Sequence, residues 1–442
     1  MSRIKQYIPE EYIYIPLYRT QVANIPAQNI TISERTAGVK SNYAPALVFM
    51  GVLYLMIGVI TCLNDTLVPF FKDGFTLNYA QSSLVQFYFF LTYGIMSVPA
   101  ARLVDRIGYK HGMMTGFVVA AFGAILFYPA AMYQQYFLFL GALFVIAIGI
   151  VLLQVAVNPY VTALGPAKTA SSRLTLVQGL GSVGTTVAPV FGAYFILSEL
   201  KNKEVSPYVL VYPYLGIALV LFLIAFLVWR LNLPQVKAGP YTLSSSDPGR
   251  PLLSFPNLKF GIWGIFCYVG AEVAIGTFLT NYVAEVLVIP VHDANTYVTF
   301  YWGSMLGGRL LGAAILKSVR PPLVLSVCGG LAVFLILFSI NTGGLTAVWS
   351  MIAVGLCNSV MFAIIFSLSV GGLGSGTAKA SGLLSTAIVG GAVVSYAMGA
   401  LKDHFDWRVA FLVPVICYLY IVFYGMSGYK SKETAKATGT IL

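Results

Sequence analysis

Long apolar runs, broken by short polar stretches, set the organisation of this chain. Twelve such runs lie near 44–71, 81–103, 111–132, 136–163, 173–198, 208–231, 258–287, 294–316, 322–341, 345–370, 379–401 and 407–428. About 20 apolar residues in a helix cross a bilayer, whereas barrel strands need only about 10 and alternate polar with apolar positions. The runs therefore predict twelve transmembrane helices. Residues 1–43 show no helical period and lack the basic-then-apolar order of a signal peptide, so they read as a cytoplasmic tail. The longest polar break, 233–256, is rich in Pro, Gly and Ser and reads as a cytoplasmic linker. The expected organisation is a tail (1–43), a six-helix bundle (44–232), the linker, a second six-helix bundle (257–429) and a C-terminal tail (430–442).

Composition agrees. Of 442 residues, 58% are hydrophobic and 9% charged, and a soluble domain carries about 25% charged residues. The net charge of +11 follows topology. With both termini on one side, that side holds 20 Lys and Arg and the opposite loops five, with Arg309 inside a span. Positive charge concentrates on the cytoplasmic side, so both termini are expected there and no nucleic-acid partner is implied. All five cysteines lie inside spans without metal-ligand spacing, and read as small packing residues. The three histidines lie at loops or span ends. No zinc site and no serine with a nearby base is evident, so no enzyme is expected.

The halves resemble each other. Asp65 in the first span matches Glu272 in the seventh. Phe87-Tyr88 matches Phe300-Tyr301, and Leu164-Gly-Pro-Ala-Lys-Thr-Ala-Ser171 resembles the stretch from Leu373 to Ser381. The offsets stay between 207 and 213. A duplicated six-span unit suggests a transporter with its site between the repeats, near mid-membrane.

Polar residues inside spans supply the candidates. An acid within the bilayer costs about 2.5–3.5 kcal/mol on insertion scales and is usually functional. Asp65 sits beside Asn64 and near Thr61, and Glu272 is about 14 residues into its span. Gln154 and Asn158, four apart, share a helix face. Two amides on one face suit sugar hydroxyls, or serve as glue between helices. Pro159 removes a backbone donor and frees a carbonyl near Val155. Asn281 lies nine residues after Glu272, about two and a half turns, and is expected roughly on the same face. Asn358 is the strongly polar residue of span ten, and Trp302 with Tyr301 offers an aromatic platform.

The loop Arg102-Leu-Val-Asp105-Arg106-Ile-Gly108-Tyr-Lys110, in a twelve-span duplicated chain, resembles the signature loop of the major facilitator superfamily. The resemblance implies that Arg102, Asp105, Arg106 and the related Arg309 hold a cytoplasmic gate. Further blocks resemble the fucose–proton symporter family in its glucose/galactose branch. They are Leu63–Pro69, Leu153–Tyr160, Ser172–Gln178 and Gly270–Gly276, with Asn281-Tyr282.

That resemblance implies an all-α membrane protein of two pseudo-symmetric six-helix bundles. It implies a monomer in the bacterial inner membrane, surrounded by lipid, that takes up a sugar with sodium or a proton and uses no other cofactor. It adds Gln178 to the substrate set of Gln154, Asn158, Glu272, Asn281, Asn358 and Trp302. Asp65, Asn64 and Thr61 form the cation-coupling set, and a sodium ion there is the one metal considered. Fucose-transporting members carry an acid at the position of Gln154, so a two-carboxylate relay is in doubt here. Thr175, Met361-Phe-Ala363 and Ser395-Tyr-Ala-Met398 also depart from the family pattern. Fucose or N-acetylglucosamine permeases are the close alternatives to a hexose carrier. A drug–proton antiporter would favour an apolar pocket, against the Gln, Asn and Glu set.

Overall fold

The computed structural model describes residues 43–75, 84–195, 207–234 and 251–430. Twelve helical spans fill them: α1 (Ala44–Gly74), α2 (84–107), α3 (109–125), α4 (Tyr136–Ala163), α5 (Ala170–Phe195), α6 (Val211–Arg230), α7 (Pro256–Leu287), α8 (Val291–Ile315), α9 (Pro321–Asn341), α10 (Gly344–Val370), α11 (Thr377–His404) and α12 (Trp407–Gly428). The two terminal tails and most of the linker lie outside the described residues.

Nine of the described helices pass a length-and-hydropathy test for crossing a membrane. That figure conceals twelve crossings. α2 and α3 count as one continuous helix, although Gly108 turns the chain between them with φ 81°. Only glycine adopts that conformation without strain. α5 and α8 are the remaining two spans; α8 is made less apolar by Arg309 within it, and α5 carries Gln178 and Ser182.

The first six spans pack together and so do the last six. In the first bundle α1 and α5 meet backbone to backbone: a β-carbon at Gly58 would stand 2.2 Å from the Gly181 carbonyl oxygen, and one at Gly184 2.1 Å from that of Leu55. Small residues permit such approach in lipid, where association rests on van der Waals packing. In the second bundle α7 packs on α8, α10, α11 and α12.

Different residues close equivalent helix ends in the two halves. Arg173 donates to the carbonyls of Val161 and Thr162 in the last turn of α4 and of Pro166 just beyond it. Asn257 does the same for Leu368, Ser369 and Gly371 at the end of α10. Each supplies donors to carbonyls that a helix end leaves unpaired.

The bundles touch through α2 with α11, α4 with α11, α5 with α8 and α5 with α10. The polar contacts gather toward the side that carries the Arg102–Lys110 loop, called the basic side below. Lys379 pairs with Asp105 at 3.3 Å, Ser171 Oγ meets Ser367 Oγ at 2.5 Å, and Ser172 Oγ donates to the Ala313 carbonyl at 2.6 Å. Ser381 Oγ donates to the Val155 carbonyl at 3.2 Å. On that side the bundles are closed on each other.

Candidate functional site

Two polar clusters face each other across the bundle interface. The first is built by α1, α2, α4 and α5. Tyr54 on α1 is almost wholly buried, and its hydroxyl donates to Asn158 Oδ1 and lies in hydrogen-bond contact with Gln178. The Tyr93 hydroxyl on α2 contacts Gln154 in the same way. Gln154, Asn158 and Gln178 are therefore brought together: the first two by their spacing on one face of α4, and Gln178, which only the family resemblance had added, from α5. Two atoms in this cluster have no partner among the described residues: Asn158 Nδ2, a donor, and Gln178 Oε1, an acceptor. A buried polar group left unpaired costs about 1–3 kcal/mol. Their juxtaposition suits a ligand whose groups both accept and donate.

The second cluster belongs to α7, α8, α10 and α12. Glu272 lies 4.0 Å from Arg309, with both side chains mostly buried, and Tyr268 is in contact with the Glu272 carboxylate. Tyr301 donates to the Glu272 carbonyl at 3.2 Å. Asn358 Nδ2 donates to the Tyr301 hydroxyl at 2.9 Å, and the Tyr418 hydroxyl donates to Asn358 Oδ1 at 2.7 Å. Asn358 ends the helical segment Gly344–Asn358, and the helix resumes at Met361. Its side chain thus holds a broken helix in place.

Arg309 joins the clusters. Its Nη1 donates to Ser182 Oγ on α5 of the other bundle, one turn beyond Gln178, while Nη2 faces Glu272. This divides the expected gate set. Asp105 is at the interface with Lys379, and Arg102 and Arg106 are exposed at the same end. Arg309 lies inside α8, six residues before its end, about 9 Å along the axis. It belongs to the central site.

Trp302 is on the Arg309 face of α8, seven residues earlier, and packs edge-on against Tyr301. Its ring lies where a β-carbon at Gly276 would stand, one turn beyond Glu272. Asn281 departs from expectation. Two and a half turns is a half-turn out of phase, so nine residues at 100° each put Asn281 on the opposite face of α7 from Glu272. It lines a separate cavity with Phe278, Glu285 and Trp407.

Of the cation set, Thr61 Oγ1 donates to the Ile57 carbonyl at 2.8 Å. The side chains of Asn64 and Asp65 lie outside the described residues. The backbone of α1 does run through them, and Asp65 is eleven residues past Tyr54, about 16 Å farther from the basic side.

The tyrosines escaped the sequence reading. A hydroxyl in mid-membrane must find a partner, so Tyr54, Tyr93, Tyr268 and Tyr418 within apolar spans carried a usable signal.

A family model described as Major Facilitator Superfamily matches residues 46–389. This chain belongs to that superfamily. It is a multi-pass membrane transporter, not an enzyme. It is 46% identical over 412 residues to a glucose/galactose transporter of Brucella abortus, covering 92% of this chain and 99% of that protein. It is 32% identical over 426 residues to the L-fucose-proton symporter of Escherichia coli, covering 90% and 96%. The crystal structure of FucP in the outward conformation aligns with TM-score 0.80 at 30% identity, over 88% of this chain and all of that one. The twelve-helix superfamily fold is thus supported by sequence and structure together, and closure on the basic side agrees with an outward conformation.

Proposed function

We propose that this protein takes up a hexose, glucose or galactose, together with a proton, by alternating access. The observation that carries the proposal is the amide cluster around Tyr54. The unpaired Asn158 donor and Gln178 acceptor flank one buried hydroxyl. A sugar hydroxyl satisfies both, because it donates once and accepts twice. Glu272, Arg309 and Trp302 close the site from the other bundle, with Trp302 as a flat apolar wall. The likeness to a glucose/galactose transporter supports the hexose, and the likeness to an L-fucose-proton symporter supports the proton.

Asp65 is the coupling residue in this account. Gln154 is an amide, so Asp65 is the acid available in the first-half set. The basic side is cytoplasmic, the protein sits in the inner membrane, and it works as a monomer. The test is uptake by the purified protein in vesicles, over a panel of glucose, galactose, fucose and N-acetylglucosamine, with proton and sodium gradients imposed separately. Accumulation of glucose or galactose under the proton gradient alone is expected. Accumulation under sodium alone would replace the proton. Preference for fucose or N-acetylglucosamine would replace the hexose.

A further inference from the structure

Glu272 on α7 and Arg309 on α8 stand 4.0 Å apart in the membrane interior, with side chains 12% and 18% exposed. Their other polar neighbours among the described residues are neutral. Tyr268 meets the Glu272 carboxylate, and Ser182 Oγ accepts from Arg309 Nη1. Each charge is thus balanced by the other. The pair also borders the proposed sugar site. Gly179, next to Gln178 in the chain, faces Arg309: a β-carbon there would stand 3.5 Å from Arg309 Cβ. Ser182 is one turn beyond Gln178 on the same face of α5. Its hydroxyl donates to the Gln178 carbonyl at 3.2 Å while it accepts from Arg309. The Arg309 charge acts on the Tyr54 hydroxyl, which holds Asn158. Arg309 Nε is buried and has no partner among the described residues. A ligand held by Asn158 and Gln178 therefore lies beside a guanidinium that has a free donor but no free charge.

We propose that Glu272 is the specificity-determining residue for charge: by neutralising Arg309 it restricts the site to uncharged sugars and shuts out hexuronates. The proposal rests on the hexose function given above. A hexuronate carries a carboxylate where the hexose has its terminal hydroxymethyl group. Guanidinium and carboxylate pair through two parallel hydrogen bonds, so an unmasked arginine at this wall selects the acid over the neutral sugar. With Glu272 in place, a hexuronate gains that pair only by displacing Glu272. The displaced carboxylate is then left uncompensated in the interior, and a buried charge stripped of its partner is strongly unfavourable. A neutral hexose makes no such demand. It takes the Nε donor for one hydroxyl and leaves the pair intact. Specificity here is a penalty on the wrong ligand. The same logic runs in reverse for Arg309. Without it, Glu272 is a lone buried carboxylate, and the sugar that satisfies it carries an ammonium group, as glucosamine does.

The experiment is equilibrium binding of three radiolabelled probes, D-glucose, D-glucuronate and D-glucosamine, to the purified full-length protein in detergent. Neutral buffer keeps most of the amine protonated. Wild type is expected to bind glucose and to reject both charged sugars. Glu272→Gln should bind glucuronate at least about ten-fold more tightly than wild type does, and Arg309→Met should gain glucosamine by a similar factor. The double variant, neutral again, should reject both, which separates charge from a general loosening of the pocket. Thermal midpoints give a second measurement: glucuronate should raise that of Glu272→Gln and leave that of wild type unmoved. Where Glu272→Gln is too unstable to purify, Arg309→Met with glucosamine carries the same test with the opposite sign. Charged sugars bound no more tightly by the single variants than by wild type would overturn the charge filter and leave the hexose site standing. Glucuronate bound by wild type as tightly as glucose would also overturn it. No glucose bound to wild type would remove the hexose function and the filter together.

Discussion

Ser381 on α11 donates to the carbonyl of Val155 on α4, in the opposite bundle, at 3.2 Å. That carbonyl is available because Pro159, four residues on, has no N–H to give it. The proline loosens α4 beside Asn158 and also creates the acceptor by which the other bundle holds it. One proline thus links the helix of Gln154 and Asn158 to the closed interface.

Ser381→Ala removes the donor. Pro159→Ala restores the N–H that competes for the acceptor. Either change should cost the closed state about 1 kcal/mol, roughly a five-fold shift toward opening on the basic side. Thiol labelling of a cysteine placed at Ser367, which is covered by Ser171 in this state, reads the shift directly. Labelling rates equal to those of the parent would refute the link.

The Glu272–Arg309 pair should behave as a buried ion pair. Glu272→Gln strands the Arg309 guanidinium in the membrane interior, at a cost of about 3–5 kcal/mol. The double variant Glu272→Gln with Arg309→Met removes both charges and should recover much of the stability lost by the single change. Thermal unfolding of the purified variants in detergent measures it. Additive losses would mean that the two side chains do not depend on each other.

Asn358 pairs Tyr301 with Tyr418 at the break in α10. Asn358→Ala takes the acceptor from the buried Tyr418 hydroxyl, costing about 1–3 kcal/mol, while Tyr301 keeps its bond to the Glu272 carbonyl. Adding Tyr418→Phe removes that hydroxyl, so the double variant should be less destabilised than the sum of the single changes. The comparison is again a set of thermal midpoints, with exact additivity counting against the network.

The sequence already carried the spans, the bundle repeat, the basic loop and the amide face of α4, because hydrophobic period and intramembrane polarity are local signals. Gln154 and Asn158 share a face as their spacing implied, whereas Gln178 had no local signal and joined them only through the family resemblance. Asn281 failed on phase: two and a half turns is the wrong side of a helix, whatever the depth. Arg309 was grouped with the basic loop by its likeness to the repeat, but the helix carries it inward to Glu272. The Ser381–Val155 bond was half legible. Pro159 announced the free carbonyl, and nothing local named a donor 226 residues away. The tyrosine partners likewise depend on tertiary packing.

Asp65 carries the central claim, that an acid on α1 couples sugar movement to a proton. In vesicles with an imposed inward proton gradient, wild type should accumulate glucose above its external concentration. Asp65→Asn should lose that accumulation and still exchange labelled for unlabelled glucose by counterflow. Accumulation by Asp65→Asn at the wild-type level would contradict the claim.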